Sequence, residues 1–392
     1  MAITDTIESM KTHLGEAYAS LDEKGATIPE NKNLENLSES ILSISGGGGD
    51  ISEYFQDVEI GNTSSSQSGG YTWANVIKKV PYKFKLRSTG NSALMYTFAY
   101  CPLEKIELDA VSFSRSGMIN LSYAFYNCPN VKYLDLSMID TSKVHAYNYM
   151  FSNCKNLESI IININEFDTT STVNMAGMFD GCNSLKAVPE GFCFFKSKST
   201  SPNVSATGMF KSCSSIENFK IDRDDLDTSW VTSFSQFLAY CTNLKSVDLS
   251  NFNFTGLSNS TSGGFQYFLD MGSDYARNLT SVKFPTEKQT SKLVTIYYMF
   301  RGCNALTEID LSFLEATLTN VSYAFYNCRA LTKIDIRNIT LSGITGSSYY
   351  SNMLTGVPTD CLIIVKNQTQ KNWFNSKFPT YTNVKTVDEL GE

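Results

Sequence analysis

A short phrase returns nine times along this chain: an aromatic or Met-Phe pair, two residues, usually a cysteine, two residues, then an aliphatic anchor and a second aliphatic pair. It reads Tyr123-Ala124-Phe125-Tyr126-Asn127-Cys128, followed by Val131-Lys132-Tyr133-Leu134-Asp135-Leu136. Successive repeat cysteines from Cys101 to Cys241 lie 27, 26, 28, 31 and 28 residues apart, and Cys328 follows Cys303 by 25. Cys241 to Cys303 is 62 residues, two periods. The repeat between them is expected to put Phe268 in the phenylalanine place and Asn278 to Phe284 in the strand, with an insertion, Asp270 to Arg277, replacing the cysteine. A period of this size fixes the architecture before any local propensity is weighed, because one repeat cannot bury its own apolar face and must stack on its neighbours.

The segment after each cysteine, as in Leu103 to Leu108 or Leu306 to Leu311, is the strand signature of leucine-rich repeats, whose periods run roughly 20 to 29 residues. In that strand Val131, Leu134 and Leu136 are expected to point inward, and Lys132, Tyr133 and Asp135 toward an open, concave side. The aromatic-to-thiol step of three residues predicts a short helix with one buried face. Polar turns such as Asp140-Thr141-Ser142 and Asp227-Thr228-Ser229 are expected to cap it. The predicted fold class is an α/β repeat solenoid of about nine strand-turn-helix coils, preceded by a short N-terminal helical module.

The Met-Phe-x-x-Cys-x-x-Leu phrase, with Asp-Thr-Ser and a valine upstream, resembles the BspA-like leucine-rich repeat of bacterial surface proteins and phage-encoded proteins. The resemblance spans roughly residues 92 to 365. It implies a binding or adhesion protein and not an enzyme.

The first 45 residues differ. Ile3, Ile7, Met10, Leu14, Ala17 and Leu21 follow heptad steps, an a/d seam over about five helical turns. A second short apolar helix follows at Leu34, Leu37, Ile41 and Ile44. The seam reads either as one half of an intramolecular helical hairpin or as a surface for oligomerisation or docking into a larger assembly, and both can hold together. The module from Thr4 to Ile44, with its Thr27-Ile28-Pro29-Glu30-Asn31-Lys32-Asn33-Leu34 phrase, looks like the leader of structural proteins in phages and prophages of Gram-positive bacteria.

These readings divide the chain into a helical attachment or oligomerisation module at 1–45, a glycine-rich linker at 46–50, an N-terminal cap at 51–91, repeats at 92–358 and a C-terminal cap at 359–392. Glycine runs make flexible joints, and a repeat array needs its end coils covered.

A net charge of −7 and a pI near 5.1, with no basic stripe, argue against nucleic acid as partner. Eight of the ten cysteines share one repeat position, so they are expected to form a buried column of small hydrophobes rather than a disulfide framework. With no C-x₂-C pair and no histidine pair at ligand spacing, no zinc site and no cofactor is expected. Cys193 and Cys361 lie off the column. His13 and His145 stand far from any nucleophile at fixed spacing, so no catalytic residue is expected.

The candidate ligand-binding residues are those projecting from the strand face: Glu107, Tyr133, Asp135, Lys220, Asp248, Lys283, Asp310 and Asp335. Their mixed signs imply no single-charge ligand. Met1 to Asp5 has no basic n-region, no apolar span follows, and Val387 to Glu392 is not a sorting tail. The expectation is a phage virion protein of the tail or a surface fibre. Its partners would be a host-surface protein or glycan and, through the N-terminal helices, other virion proteins, without membrane insertion. The alternative is a bacterial cell-surface adhesin of the BspA-like type.

Overall fold

The computed structural model describes Thr12, 14–16, 18–19, the backbone of 83–88, and residues 95–391 apart from 97, 102–103, 105–106, 114–118, 138–140, 142–143, 163–173, 191, 193–203, 261–262 and 273–277. Within the predicted seam, Leu14 is helical and half-buried, and nearby Tyr18 is buried. Ile3, Ile7, Met10, Ala17 and Leu21 lie outside the described residues, as do the second helix, the glycine linker and most of 51–91.

The repeats form a parallel β-solenoid. Most coils contribute a three- or four-residue strand to a first ladder. Tyr133–Asp135 pairs with Ser159–Ile161; Ser246–Asp248 lies between Asn218–Lys220 and Ser281–Lys283; and Glu308–Asp310, Lys333–Asp335, Leu362–Val365 and Val384–Thr386 follow in order. All these pairings are parallel, as stacking of successive coils requires. At the N-terminal side Lys83–Ser88 pairs with Glu107–Phe113. A second ladder runs through Ile119–Asn120, Val144–Ala146, Asn174, Val204–Ser205, Val231–Ser233 and Gly264. A third joins Gln289–Thr290, Leu314–Thr317 and Ile339–Thr340.

Burial follows the expected alternation. Val131, Leu134 and Leu136 are buried, while Lys132, Tyr133 and Asp135 are exposed. One continuous apolar core extends from Phe98 to Val384.

Among the described residues the aromatic-to-thiol segments form no helix, and the strand-turn-helix coil is corrected to strand and tandem turns. In the coil of Phe151, the amides of Tyr147, Tyr149, Phe151 and Asn153 donate to carbonyls of the next coil, at Asn174, Ala176, Met178 and Asp180. The intervening amides of Met150, Ser152 and Cys154 donate back three residues, closing successive β-turns on Tyr147, Tyr149 and Phe151. A helix would direct every amide to its own fourth neighbour and leave none for the adjacent coil. Tyr149 and Asn153 have φ of 54° and 63°, a conformation an L-residue helix excludes. A three-residue spacing buries the same side chains in either geometry, which is why the sequence pattern favoured the helix.

The expected helix caps are therefore turn caps. The Asp227 carboxylate accepts from the Ser229 amide at 2.9 Å, and Thr228 Oγ1 bridges to the Asn253 backbone. The atypical repeat is also corrected by one residue. Leu238 N donates to Phe268 O just as Phe125 N donates to Met150 O, so Phe268 occupies the methionine place. Leu269 holds the phenylalanine place and Gly272 the cysteine place.

After the last coil, helix Gln368–Lys377 starts at Asn367, whose side chain accepts from the Gln370 amide. Its Trp373 and Phe374 are buried, with Trp373 Nε1 donating to Ile344 O at 3.1 Å. Gln370 accepts from the Leu341 amide at 2.9 Å. These contacts give the end coil the partners a further repeat would supply.

Candidate recognition surface

Two rows of side chains run along the solenoid: one from the first strand ladder, the other from the tandem turns. On the strand face, register places Lys220, Asp248 and Lys283 side by side, and Asp310 beside Asp335. Asp135 neighbours Ile161, which bridges to Glu190. Glu107 opens its strand opposite Lys83. Tyr133, Asp135, Lys220, Lys283 and Asp310 are exposed and Asp248 is half-buried.

Asp335 departs from the expectation. It is 2 % exposed, and the Arg337 guanidinium folds over it with Nη2 to Oδ2 at 2.6 Å. Two positions on, the Arg337 amide and guanidinium both donate to the carboxylate and close over it.

The recurrent aspartates share a structural task. Each accepts a hydrogen bond from the amide two residues later: Asp135 from Ser137, Asp248 from Ser250, Asp310 from Ser312 and Asp335 from Arg337. This Asx turn ends the strand, since it satisfies a backbone donor that has left the ladder. Hydrogen bonds from Ser137 hold the Asp135 carboxyl below its ordinary pKa. At Asp248 burial opposes the charge, but Ser250, Lys283 and Lys220 together leave its pKa lowered. Flanking charges pair between coils, Lys245 with Glu217 at 2.7 Å and Lys186 with Glu158.

The thiol column is occupied in the same way. Cys128 Sγ donates to Phe98 O at 3.0 Å, Cys154 to Phe125 O at 3.0 Å, Cys182 to Phe151 O at 3.1 Å and Cys213 to Phe179 O at 3.1 Å. Burial pushes the thiols of Cys128, Cys182 and Cys213 well up and that of Cys241 to about 12, so their nucleophilic thiolate is suppressed. Cys361 is buried as well and is likewise pushed up to about 12. Among the described residues no cluster of three His, Cys, Asp or Glu side chains is placed to hold a metal ion, and no helix is long and apolar enough to cross a membrane.

The turn face carries the residues that the helix prediction misplaced. Tyr96, Tyr123 and Tyr149 stack between coils with centroids 4.7 and 5.1 Å apart, and Tyr267, Tyr298 and Tyr323 do so at 5.0 and 4.5 Å. The signal was present in the sequence as a tyrosine two residues before the phenylalanine place. Beside the second stack Arg301 lies 4.3 Å from the Tyr298 ring centre and forms a two-pronged ion pair with buried Asp270.

Parallel coils closed by short strands, with a shared apolar core, define a parallel β-solenoid. Residues 274–385 match the family described as BspA type leucine rich repeat region, in 6 copies, and residues 119–216 and 195–281 match that described as Mycoplasma protein of unknown function, DUF285. Over residues 274–385 the chain is thus similar to BspA-type leucine-rich repeats, and over 119–281 to the second family.

No curated protein matches the chain. Among solved structures it is similar to a leucine-rich repeat protein from Bacteroides ovatus, at 16% identity over 72% of this chain and 70% of that one, with a TM-score of 0.28. A leucine rich cell surface protein from Faecalibacterium prausnitzii is 14% identical over 79% and 84%, with a TM-score of 0.28. The pneumococcal vaccine antigen PcpA is 15% identical over 79% and 80%, with a TM-score of 0.30. The likeness to BspA-type repeats rests on the family match at 274–385, and the solenoid on the hydrogen-bonded coils.

Proposed function

We propose that the chain is a non-enzymatic recognition protein whose solenoid presents the strand-face row, Tyr133, Asp135, Lys220, Asp248, Lys283 and Asp310, to a host-surface protein or glycan. One observation carries this reading: the array uses its reactive groups on itself. The thiols are bonded to carbonyls and the aspartates close turns, while exposed side chains recur at a fixed step along a rigid core. Such a row offers many weak contacts and no assembled acid, base and nucleophile. Fold alone does not name a ligand.

The proposed setting is a phage virion, in which the N-terminal helices attach the array to other virion proteins. The phage-like leader at Thr4 to Ile44 motivates it. The BspA-type match favours a second setting, a bacterial cell surface on which the same array acts as an adhesin. Peptides of this chain in particles purified after prophage induction support the first. Their release by protease from intact, uninduced cells supports the second.

Binding itself is tested with labelled full-length protein on intact host cells. Saturable binding is expected, and the variant carrying Tyr133→Ser, Lys220→Ala and Lys283→Ala should bind about tenfold more weakly, the equivalent of about 1.4 kcal/mol. Equal binding by that variant removes the strand face from the reading. Absence of binding by the unaltered protein removes recognition itself.

A further inference from the structure

The first position of the tandem turns has positive φ in every coil from Tyr96 to Asn352. Gly177 and Gly208 take it without steric cost, and Asn352 is of the type that tolerates it best after glycine. Six coils place a tyrosine there instead: Tyr96, Tyr123, Tyr149, Tyr267, Tyr298 and Tyr323, at φ between 54° and 59°. Glycine adopts this conformation freely, whereas a residue with a Cβ resists it.

Coil stacking does not require these rings. The Gly177 amide reaches Thr207 O at 2.8 Å and the Gly208 amide reaches Ser235 O at 2.7 Å, as close as Tyr123 to Asn148 O at 3.0 Å or Tyr298 to Ser322 O at 3.2 Å. The core beneath is already filled by the phenylalanine ladder, Phe98 to Phe125 to Phe151 to Phe179 to Phe210, at 5.1–5.5 Å. Mutual stacking of the tyrosines offsets part of the backbone cost. What the rings add that glycine does not is a surface. Tyr123 and Tyr298 are covered by rings on both faces and yet half-exposed, so their edges meet solvent.

The surroundings of the row are polar and carry no net charge. Tyr126 lies against Tyr123 at 5.5 Å, Tyr297 against Tyr298 at 4.2 Å and Tyr326 against Tyr323 at 5.4 Å. The other residues of these turns include Asn127, Ser152, Asn153 and Asn327. The formal charges at this turn position come in opposite pairs, Asp270 with Arg301 at 2.7 Å and, between the two stacks, Asp180 beside Lys211. Aromatic edges interleaved with amides and hydroxyls, without net charge, suit a neutral polyhydroxylated ligand and not an anionic polymer. The row advances one ring per coil, a step of about 4.8 Å. An extended peptide advances about 3.3 Å per residue and loses register with such a row, whereas a β-1,4-linked polysaccharide advances by nearly one coil per sugar.

We infer that the two tyrosine stacks on the turn face form a binding surface for a neutral, extended β-linked polysaccharide lying along the solenoid axis. This rests on the recognition reading above; it names a ligand class and assigns it to the face opposite in role to the strand ladder. The test is depletion of full-length protein by amorphous cellulose and by chitin. Saturable depletion by at least one polymer is expected, persisting at high salt, where charge-mediated binding is screened.

The Tyr123→Asn/Tyr298→Asn double variant keeps a residue suited to positive φ and should bind about tenfold more weakly, with little change in its urea midpoint. Tyr126→Ser/Tyr326→Ser, at positions of ordinary φ, should weaken binding in the same direction. Lys371→Ala, on the terminal helix where it pairs with Glu389, should leave it unchanged. No depletion by either polymer, undiminished binding by both double variants, loss at high salt, or loss through Lys371→Ala overturns the inference. Full-length protein that binds host cells but neither polymer sinks this surface and leaves the recognition reading intact; failure on cells as well sinks both.

Discussion

Phe151 O accepts two hydrogen bonds, one from the Cys154 amide of its own coil at 3.1 Å and one from the Cys182 thiol of the next coil at 3.1 Å. Both lone pairs of a buried carbonyl are used, and a small apolar residue in place of the cysteine leaves one empty. Cys182→Ala is expected to cost about 1–2 kcal/mol in urea unfolding, from one weak hydrogen bond and a small cavity. The even thiol spacing made burial legible in the sequence. The acceptor was not legible, because it lies 31 residues away and is a backbone atom. Burial also sets a pH dependence. The Cys241 thiol rises from an ordinary 9.0 to about 12, so between those values the unfolded chain releases a proton that the folded chain keeps. The thiol contribution to stability is fully present below about pH 9 and is lost as pH rises toward 12. Stability measured across that range should fall with pH, and thiol reagents at pH 8 should label the column only after denaturant is added.

The tandem turn is the element on which sequence and structure parted. Phe151 and Cys154 are buried in either a helix or a turn pair, so periodicity could not separate them. The deciding fact is that alternate amides find carbonyls in the neighbouring coil, a long-range pairing invisible to a local pattern. Positive φ at Tyr149 and Asn153 follows from that pairing. A Cβ at Gly302, where φ is 77°, would stand 1.9 Å from the Gly272 carbonyl oxygen, a backbone atom with no freedom to yield. Gly302→Ala is therefore expected to lower stability by at least about 2 kcal/mol. At Gly208, where only the Lys211 stem comes within 3.9 Å, Gly208→Asn should cost less than about 1 kcal/mol. Paired urea titrations of the two variants check the contrast.

Across the molecule, the stack behaves as a one-dimensional array in which each coil is held by its neighbours. Its phenylalanine ladder runs unbroken from Phe98 to Phe210 and then meets leucine at Leu238 and Leu269, where the column also lacks one cysteine. At that junction Asp270, fully buried, binds Arg301 of the next coil and the Gly272 amide. Asp270→Ala leaves a largely buried guanidinium unpaired and should cost about 2–4 kcal/mol, of which Asp270→Ala/Arg301→Met recovers a substantial part. Hydrogen exchange on the single variant should show lost protection concentrated between residues 234 and 303, with the coils of 121–162 still protected.

The sequence by itself determined the solenoid, its period, the inward and outward strand residues and the burial of the thiols, because each of these follows from the repetition of apolar anchors at a fixed step. It also placed the exposed Tyr133, Asp135, Lys220, Lys283 and Asp310 on one face. Only the tertiary structure decided that the second half of each coil is a turn pair and that Asp335 is closed off by Arg337. It likewise decided that Leu269 fills the phenylalanine place and that the tyrosines stack into two rows. These outcomes depend on which backbone groups of one coil meet those of the next, and such contacts have no period within a single repeat.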